Sequence, residues 1–427
     1  MKLIHTADWH LGNQMHDINR TEEYRHFFKW LKEKIIQEKA EVLVISGDVF
    51  DVANPSVEAR KLYFDFLSVL DETECSNIVI IGGNHDSGNL LDAPKQILKK
   101  LNIHVVGSAC NIQIEDMVFE LKDKNQNVIG ICAAVPFARE VELRSFLNDT
   151  DDCDSALSDR GYSILYKKVY ECAEKLRSSR KIPLISTGHL HASGLEGLRS
   201  DENESKIDDG VKNLDVIGNL GKVHSNVFPQ EFDYVALGHI HYHTMVSKNN
   251  RIRYSGSPVV MGFDECRIKK GVLSVEISDE VKVKFLHFDE PLYVYERLQG
   301  TIDEIIERLS EYSSINIEKE NFLELCYKPE VNRDIDFEIE ETVKNLPEKI
   351  HIVSKKILSE SMQNINLQGF SEFQSGDISD FDEESIFKSL IRAKLPGVEN
   401  PDELETAFDT YLPLFKEISG EVENENN

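Results

Sequence analysis

Apolar and polar positions follow two different periods along this chain. Short apolar runs rich in Val, Ile and Leu recur at 4–7, 42–45, 78–81, 184–187 and 234–237. Runs this short, bounded by Gly, Asp and His, read as buried strands. Between them the period lengthens. Tyr24, Phe27, Phe28, Leu31 and Ile35 fall at helical spacing and predict a helix over 22–39. Pro55 can open a second helix through Arg60, Leu62, Phe66 and Val69, and a third is expected over 162–176. Strands alternating with amphipathic helices predict a layered α/β domain over 1–289. Within it, the polar stretch 199–212 reads as a loop. Strand and hairpin signals at 271–277 and 281–288 are expected to complete a second sheet layer. Pro291 marks a boundary. Beyond it, strand, helix (301–312), strand (322–327), helix (335–346) and strand (350–353) predict a small α+β capping domain over 290–360. A linker rich in Asn, Gln, Ser and Gly is expected over 361–380. C-terminal helices follow within 381–420, at 383–393 and at 402–418, the latter interrupted by Pro413. Residues 421–427 are expected to be a disordered tail.

The five apolar runs end in residues that bind metal: Asp8-Trp9-His10, Gly47-Asp48, Gly83-Asn84-His85-Asp86, Gly188-His189 and Gly238-His239-Ile240-His241. In open α/β sheets, sites form beyond the carboxyl ends of strands, so five such endings point to one shared centre. Asp8 and His10, two apart, can reach one ion. Asp48 is placed to bridge to a second ion. Asn84 offers a neutral oxygen that limits the negative charge. His239 and His241 flank Ile240 and can serve different ions, and His189 completes the second. Mixed oxygen and nitrogen donors suit Mn²⁺, and also Fe²⁺, Zn²⁺ or Mg²⁺. Two ions roughly 3.5–4 Å apart can clamp the attacking and leaving oxygens of an in-line phosphoryl displacement.

Composition narrows the setting. Hydrophobic residues make up 41% and charged residues 29%, as in a soluble globular protein. No apolar run approaches the roughly 18 residues of a membrane span. The early position of Asp8 and His10 argues against a signal peptide. Seven scattered cysteines without a C-x-x-C pair fit a reducing cytoplasm. The net charge of −28 argues against broad, non-specific nucleic-acid binding. From Ser361 onward, 15 Asp/Glu face 4 Lys/Arg, so this segment suits protein docking better than a DNA clamp. No G-x-x-x-x-G-K-[ST] occurs, so any ATP dependence must come from another protein.

The ordered series D-x-H, G-D, G-N-H-D, G-H, G-H-x-H resembles the calcineurin-like metallophosphoesterase superfamily over about 1–264. His5-Thr6-Ala7-Asp8-Trp9-His10-Leu11-Gly12, Ser46-Gly47-Asp48-Val49-Phe50-Asp51, and Tyr254-Ser255-Gly256-Ser257-Pro258 with Phe263-Asp264-Glu265 look like the SbcD exonuclease family. The resemblance implies a four-layer β-sandwich flanked by helices, with the capping domain and C-terminal helices appended. It implies that Asp8, His10 and His241 hold one ion, that Asn84, His189 and His239 hold the other, and that Asp48 bridges them. Water activated by the ions would attack. His85 would be catalytic, orienting the phosphate or protonating the leaving oxygen, with Asp86 as its hydrogen-bond acceptor. Archaeal and eukaryotic relatives tend to carry a His where this chain has Asp51, which favours the bacterial branch.

The resemblance further implies cleavage of DNA at double-strand ends, in hairpins and in single strands, as a 3′–5′ double-strand exonuclease and single-strand endonuclease. The partner would be an SbcC-like coiled-coil ATPase docked on the C-terminal helices. The subunit would work as a homodimer within a heterotetramer, in the cytoplasm and on the nucleoid when bound to DNA, in repair, recombination and replication. A small-molecule phosphodiesterase or phosphatase on the same fold shares every ligand and is the rival reading; a scaffold that docks an ATPase and merely retains the site is a second. Single motifs have plainer readings. His5 is expected in the core, and His191 and His243 in supporting or surface roles. His224 and His16 are read as loop residues, and Lys269-Lys270 as a solvated hairpin.

Overall fold

The computed structural model describes residues 1–16, 18–147, 157–195, 223–314, 316–328 and 335–358. Its strands, in chain order, begin with β1 (Lys2–Thr6), β2 (Val42–Ser46), β3 (Asn77–Ile81), β4 (Ile103–Val106) and β5 (Val118–Lys122). Next come β6 (Val128–Ala133), β7 (Leu184–His189), β8 (Tyr234–Gly238), β9 (Thr244–Val246) and β10 (Asn249–Tyr254). The last are β11 (Gly271–Ile277), β12 (Val281–His287), β13 (Tyr293–Gly300), β14 (Glu320–Tyr327) and β15 (Ile350–Ile357). One six-stranded sheet has the order β12-β11-β1-β2-β3-β4, a second β5-β6-β7-β8-β10-β9, and a three-stranded sheet β13-β14-β15.

The central strands are buried on both faces, which is why they read as unbroken apolar runs. Val42 and Val44 of β2 point inward toward Ile131, Ile185 and Val235 of the second sheet. Leu43 and Ile45 point outward to Trp9, Phe27, Phe28 and Phe66. The helix Thr21–Glu38 supplies Phe27 and Phe28. The helix Val57–Val69 supplies Phe66, whose ring stacks on Phe28 at 4.4 Å. Ser56 caps that second helix by accepting from Ala59 N–H, so Pro55 precedes the cap rather than opening the first turn. The helix Leu157–Arg177 covers the far face of the second sheet, with the Tyr166 hydroxyl donating to Thr187 O. The result is four layers: helix, sheet, sheet, helix.

The hairpin β11–β12 departs from the sequence expectation. It joins the first sheet, with β11 antiparallel to β1 (His5 opposite Leu273), and not the second. Residues Arg251–Tyr254 do enter the second sheet, as part of β10 beside β8. The reason is physical: an alternating apolar strand can close any open edge, and β1 is covered only when β11 pairs with it. The antiparallel register brings the start of β11 to the carboxyl end of β1.

Met1–Cys326 and Asp334–Lys356 form one compact unit. The three-stranded sheet is tied into it by Tyr295, whose hydroxyl donates to Glu23 and whose ring lies under the Arg20 guanidinium. Its helix Ile302–Tyr312 starts at a Thr301–Glu304 capping box. A separate unit comprises Tyr327–Arg333 and Ile357–Asn427; in its described part, Leu358 N–H donates to Tyr327 O. The expected loop at 199–212, the linker, the C-terminal helices and the tail lie outside the described residues. Among the described residues, no helix is long and apolar enough to cross a membrane.

Candidate metal centre

β1, β2 and β3 run parallel, as do β7 and β8, and the candidate ligands lie at the carboxyl ends of all five strands, His189 closing β7 itself and the others in the loops that follow. The loops are bound to one another by their backbones. Asp8 N–H donates to Gly47 O at 3.0 Å, and His10 N–H to Asp48 O at 2.9 Å. The turns are sharp: Asp8 (φ 53°), His10 (φ 46°), Asp48 (φ 48°) and His239 (φ 98°) all have left-handed backbones. Residues with a Cβ adopt this region rarely, and such strain concentrates at functional sites. Two glycines make the approach possible. A Cβ on Gly47 (φ +86°) would sit 2.3 Å from His189 Nδ1, and one on Gly83 would sit 2.1 Å from Asp48 Oδ1.

The side chains converge. Asp8, His10 and His241 present ligand atoms within 4.8 Å of one another, and so do Asp8, Asp48 and His189. Asp48 Oδ2 lies between the two groups, 3.6 Å from His10 Nε2 and 3.2 Å from His189 Nε2. Asn84 Oδ1 is 3.0 Å from both His189 Nε2 and His239 Nδ1. Asp8 is fully buried; its Oδ1 accepts from His239 N–H, while among the described residues Oδ2 has no hydrogen-bond partner, and neither has His10 Nε2. A buried carboxylate oxygen and imidazole nitrogen left unpaired are costly unless something else satisfies them. The donor set is oxygen and imidazole nitrogen without thiolate, and it fits divalent first-row ions or Mg²⁺.

Electrostatics agree with a site built for cations. Burial pushes Asp8 above the usual carboxylate range, against the pull of His189 and His241. Asp48 is held well below that range: burial opposes this, but the imidazoles of His189, His10 and His85 around it together outweigh burial. Burial alone would lower His189; the carboxylates of Asp48 and Asp8 raise it to about 9. His239, with burial and His189 acting together, falls to about 3.

His85 is exposed where the candidate ligands are not. Its N–H donates to Asp48 Oδ1 at 2.9 Å, and its Nδ1 lies 2.8 Å from Asp51 O. The expected support from Asp86 is corrected here. The Asp86 carboxylate accepts instead from the backbone N–H groups of Val49 (3.1 Å), Phe50 (2.9 Å) and Gly83 (2.9 Å). It is turned away from the imidazole because three convergent N–H donors, two on the loop after β2 and one on its own loop after β3, hold it more strongly than one imidazole could.

Sequence reasoning named several residues without giving them a role at the centre. Asp51 Oδ1 lies 3.2 Å from His10 Nδ1 and is held by Asn13 Nδ2. Ser46 O accepts from His189 Nδ1, which leaves Nε2 facing the site. Glu265 Oε1 accepts from His241 Nδ1 at 2.7 Å. Lys270, expected in a solvated hairpin, is 6% exposed and donates to Glu265 Oε2, Ser257 Oγ and His241 O. Glu265 was visible only as part of a motif, and nothing in the local pattern marks Lys270. The other histidines are at the margins. His5 is buried and bonded to Tyr234 and Leu237. His243 stacks on Phe285, His191 is buried beside His239, His16 lies near Phe263, and His224 pairs with Asp159.

Residues 1–243 match the family described as "Calcineurin-like phosphoesterase". The chain is 30% identical over 363 residues to the D subunit of nuclease SbcCD from Escherichia coli K12, covering 83% of this chain and 85% of that protein. It is 29% identical to the protein of the same name from Rhodobacter capsulatus, covering 68% of this chain and 70% of that one. With the Bacillus subtilis protein of that name it shares 28% identity over 65% of this chain and 66% of the relative. The chain therefore belongs to the calcineurin-like phosphoesterase family and, within it, to the SbcD nuclease family, metal-dependent hydrolases of phosphodiester bonds.

Proposed function

We propose that this chain is a two-ion DNA nuclease subunit. It cleaves at double-strand ends, in hairpins and in single strands, as a 3′–5′ double-strand exonuclease and a single-strand endonuclease. Asp8, His10 and His241 hold one ion, Asn84, His189 and His239 the other, and Asp48 bridges them. The observation that carries this reading is the position of Asp48 Oδ2 between His10 Nε2 and His189 Nε2, at 3.6 and 3.2 Å. Two divalent ions, Mn²⁺ in the first instance, would activate water and neutralise charge on the phosphoryl oxygens.

The chain's own groups do the rest. Asp51 O, at 2.8 Å, fixes the His85 ring through Nδ1 and leaves Nε2 free to hold a phosphate oxygen or pass a proton to the leaving oxygen. The bond from His85 N–H to Asp48 Oδ1 sets that ring at a constant height over the centre. Asp86 holds the β2 and β3 loops together so that Asp48, Asn84 and His85 keep their spacing.

The relatives are named as one component of SbcCD, which supports a C-component partner; we read it as a coiled-coil ATPase docked on residues 381–420. A homodimer within a heterotetramer, working in the cytoplasm and on the nucleoid, completes the proposal. The net charge of −28 also favours a rival, a small-molecule phosphodiesterase, because DNA must overcome that repulsion.

The test is Mn²⁺-dependent cleavage of a hairpin-ended duplex beside bis-p-nitrophenyl phosphate, with wild type, His85→Ala and Asp48→Ala. His85→Ala is expected to keep both ions and lose turnover by roughly 10²–10⁴-fold; Asp48→Ala is expected to lose ions and turnover. Hydrolysis of the small diester alone, with the coiled-coil ATPase and ATP added, would support the rival. Retained turnover in His85→Ala would remove its assigned role. Deletion of residues 361–427 should abolish co-purification with the ATPase.

A further inference from the structure

Three buried groups stand in line behind His241. Its Nδ1 is 2.7 Å from Glu265 Oε1. Glu265, 3% exposed, accepts through Oε2 from Lys270 Nζ (2.6 Å) and from Met261 N–H (3.0 Å). Lys270 also donates to Ser257 Oγ at 2.7 Å and to His241 O at 3.0 Å. The ammonium thus grips both ends of the arrangement: the carboxylate that meets the ring and the backbone that carries it.

We propose that Lys270 and Glu265 are positioning residues for one ion of the pair, fixing His241 in the tautomer whose Nε2 faces Asp8 and His10. This inference rests on the two-ion reading above. A neutral imidazole has one N–H and one lone pair, and a carboxylate on Nδ1 takes the N–H and turns the lone pair on Nε2 outward. Carboxylates behind ligating imidazoles orient the ring and raise its basicity, and their loss typically costs roughly 10–100-fold in metal affinity. A carboxylate this deeply buried needs a counter-charge, and Lys270 supplies it. Among the described residues, no comparable Lys–Glu pair stands behind His189, whose Nδ1 rests on Ser46 O. The two ions are therefore held by different means, and damage to the Lys270–Glu265 pair falls on one of them.

The experiment is a Mn²⁺ titration of the full chain by calorimetry and electron paramagnetic resonance, for wild type, Lys270→Met, Lys270→Arg and Glu265→Gln. Wild type is expected to bind two ions with an exchange-coupled signal. Lys270→Met and Glu265→Gln should keep one tight ion and weaken the other roughly 10–100-fold, leaving an uncoupled one-ion spectrum at intermediate Mn²⁺. Lys270→Arg should recover part of the loss. If Lys270→Met does not fold, the Glu265→Leu/Lys270→Met double variant removes both charges together and is still expected to weaken one ion only. Two ions bound by a folded Lys270→Met or double variant as in wild type, or both weakened equally, overturn the inference alone. Fewer than two ions in wild type overturn the two-ion reading and this inference with it.

Discussion

Replacing Asp86 separates two ways in which a carboxylate beside His85 can act. At pH 7.5 the group is ionised, because burial and the neighbouring Asp48 charge push it only up to about 6. It holds three backbone donors, Val49 N–H and Gly83 N–H on Oδ2 and Phe50 N–H on Oδ1. Val49, Phe50 and Gly83 are all buried. Each buried donor left unpaired costs about 1–3 kcal/mol, so the loss of all three in Asp86→Ala is expected to destabilise the ion-free chain by roughly 3–9 kcal/mol. Asp86→Asn can keep the two bonds to Oδ2 and turns its NH₂ against Phe50 N–H, for roughly 1–3 kcal/mol. The assay is denaturant unfolding in EDTA, read as a change in midpoint at constant slope, with Mn²⁺ affinity measured in parallel. Both variants should lose affinity, since Asp48 and Asn84 sit on the loops being released. If Asp86→Ala changes stability by less than about 1 kcal/mol and lowers only turnover, the carboxylate acts on His85 and the reasoning is wrong.

Other consequences can be checked as directly. With His189 raised to about 9, the ion-free chain carries a proton on the ring between Asp48 and Asn84, and a cation must displace it. Mn²⁺ affinity should therefore fall by on the order of tenfold per pH unit as pH drops below that value. Calorimetry in buffers of different ionisation enthalpy should show about one proton released at pH 7.5; heats independent of buffer would contradict this. Gly47→Ala combines a left-handed backbone with a Cβ 2.3 Å from His189 Nδ1. A loss of roughly 2–4 kcal/mol is expected, with weakened Mn²⁺ binding; a thermal midpoint equal to that of wild type would refute it.

The division between what could be read from the chain and what could not follows physical lines. Val42–Ser46 and Asn77–Ile81 are strands buried on both faces, so they appear as unbroken apolar runs. Candidate ligands at their carboxyl ends are legible because the next residue in sequence is also the next in space. Asp8, Asp48, Asn84, His189, His239 and His241 can thus be gathered from the order of residues alone. Position across the fold cannot. The hairpin Gly271–His287 has an alternating pattern that fits either sheet, and only the free edge of Lys2–Thr6 decides where it pairs. That choice carries Lys270 to the carboxyl edge of the first sheet and buries it behind His241. Asp86 stands next to His85 in sequence, yet its carboxylate is claimed by two N–H donors from the loop after Val42–Ser46 and a third, Gly83, on its own loop, because the three converge there. Local order along the chain specifies which residues lie at a strand end; which groups face one another across two sheets is set by pairing and burial, and those exist only once the sheets have met.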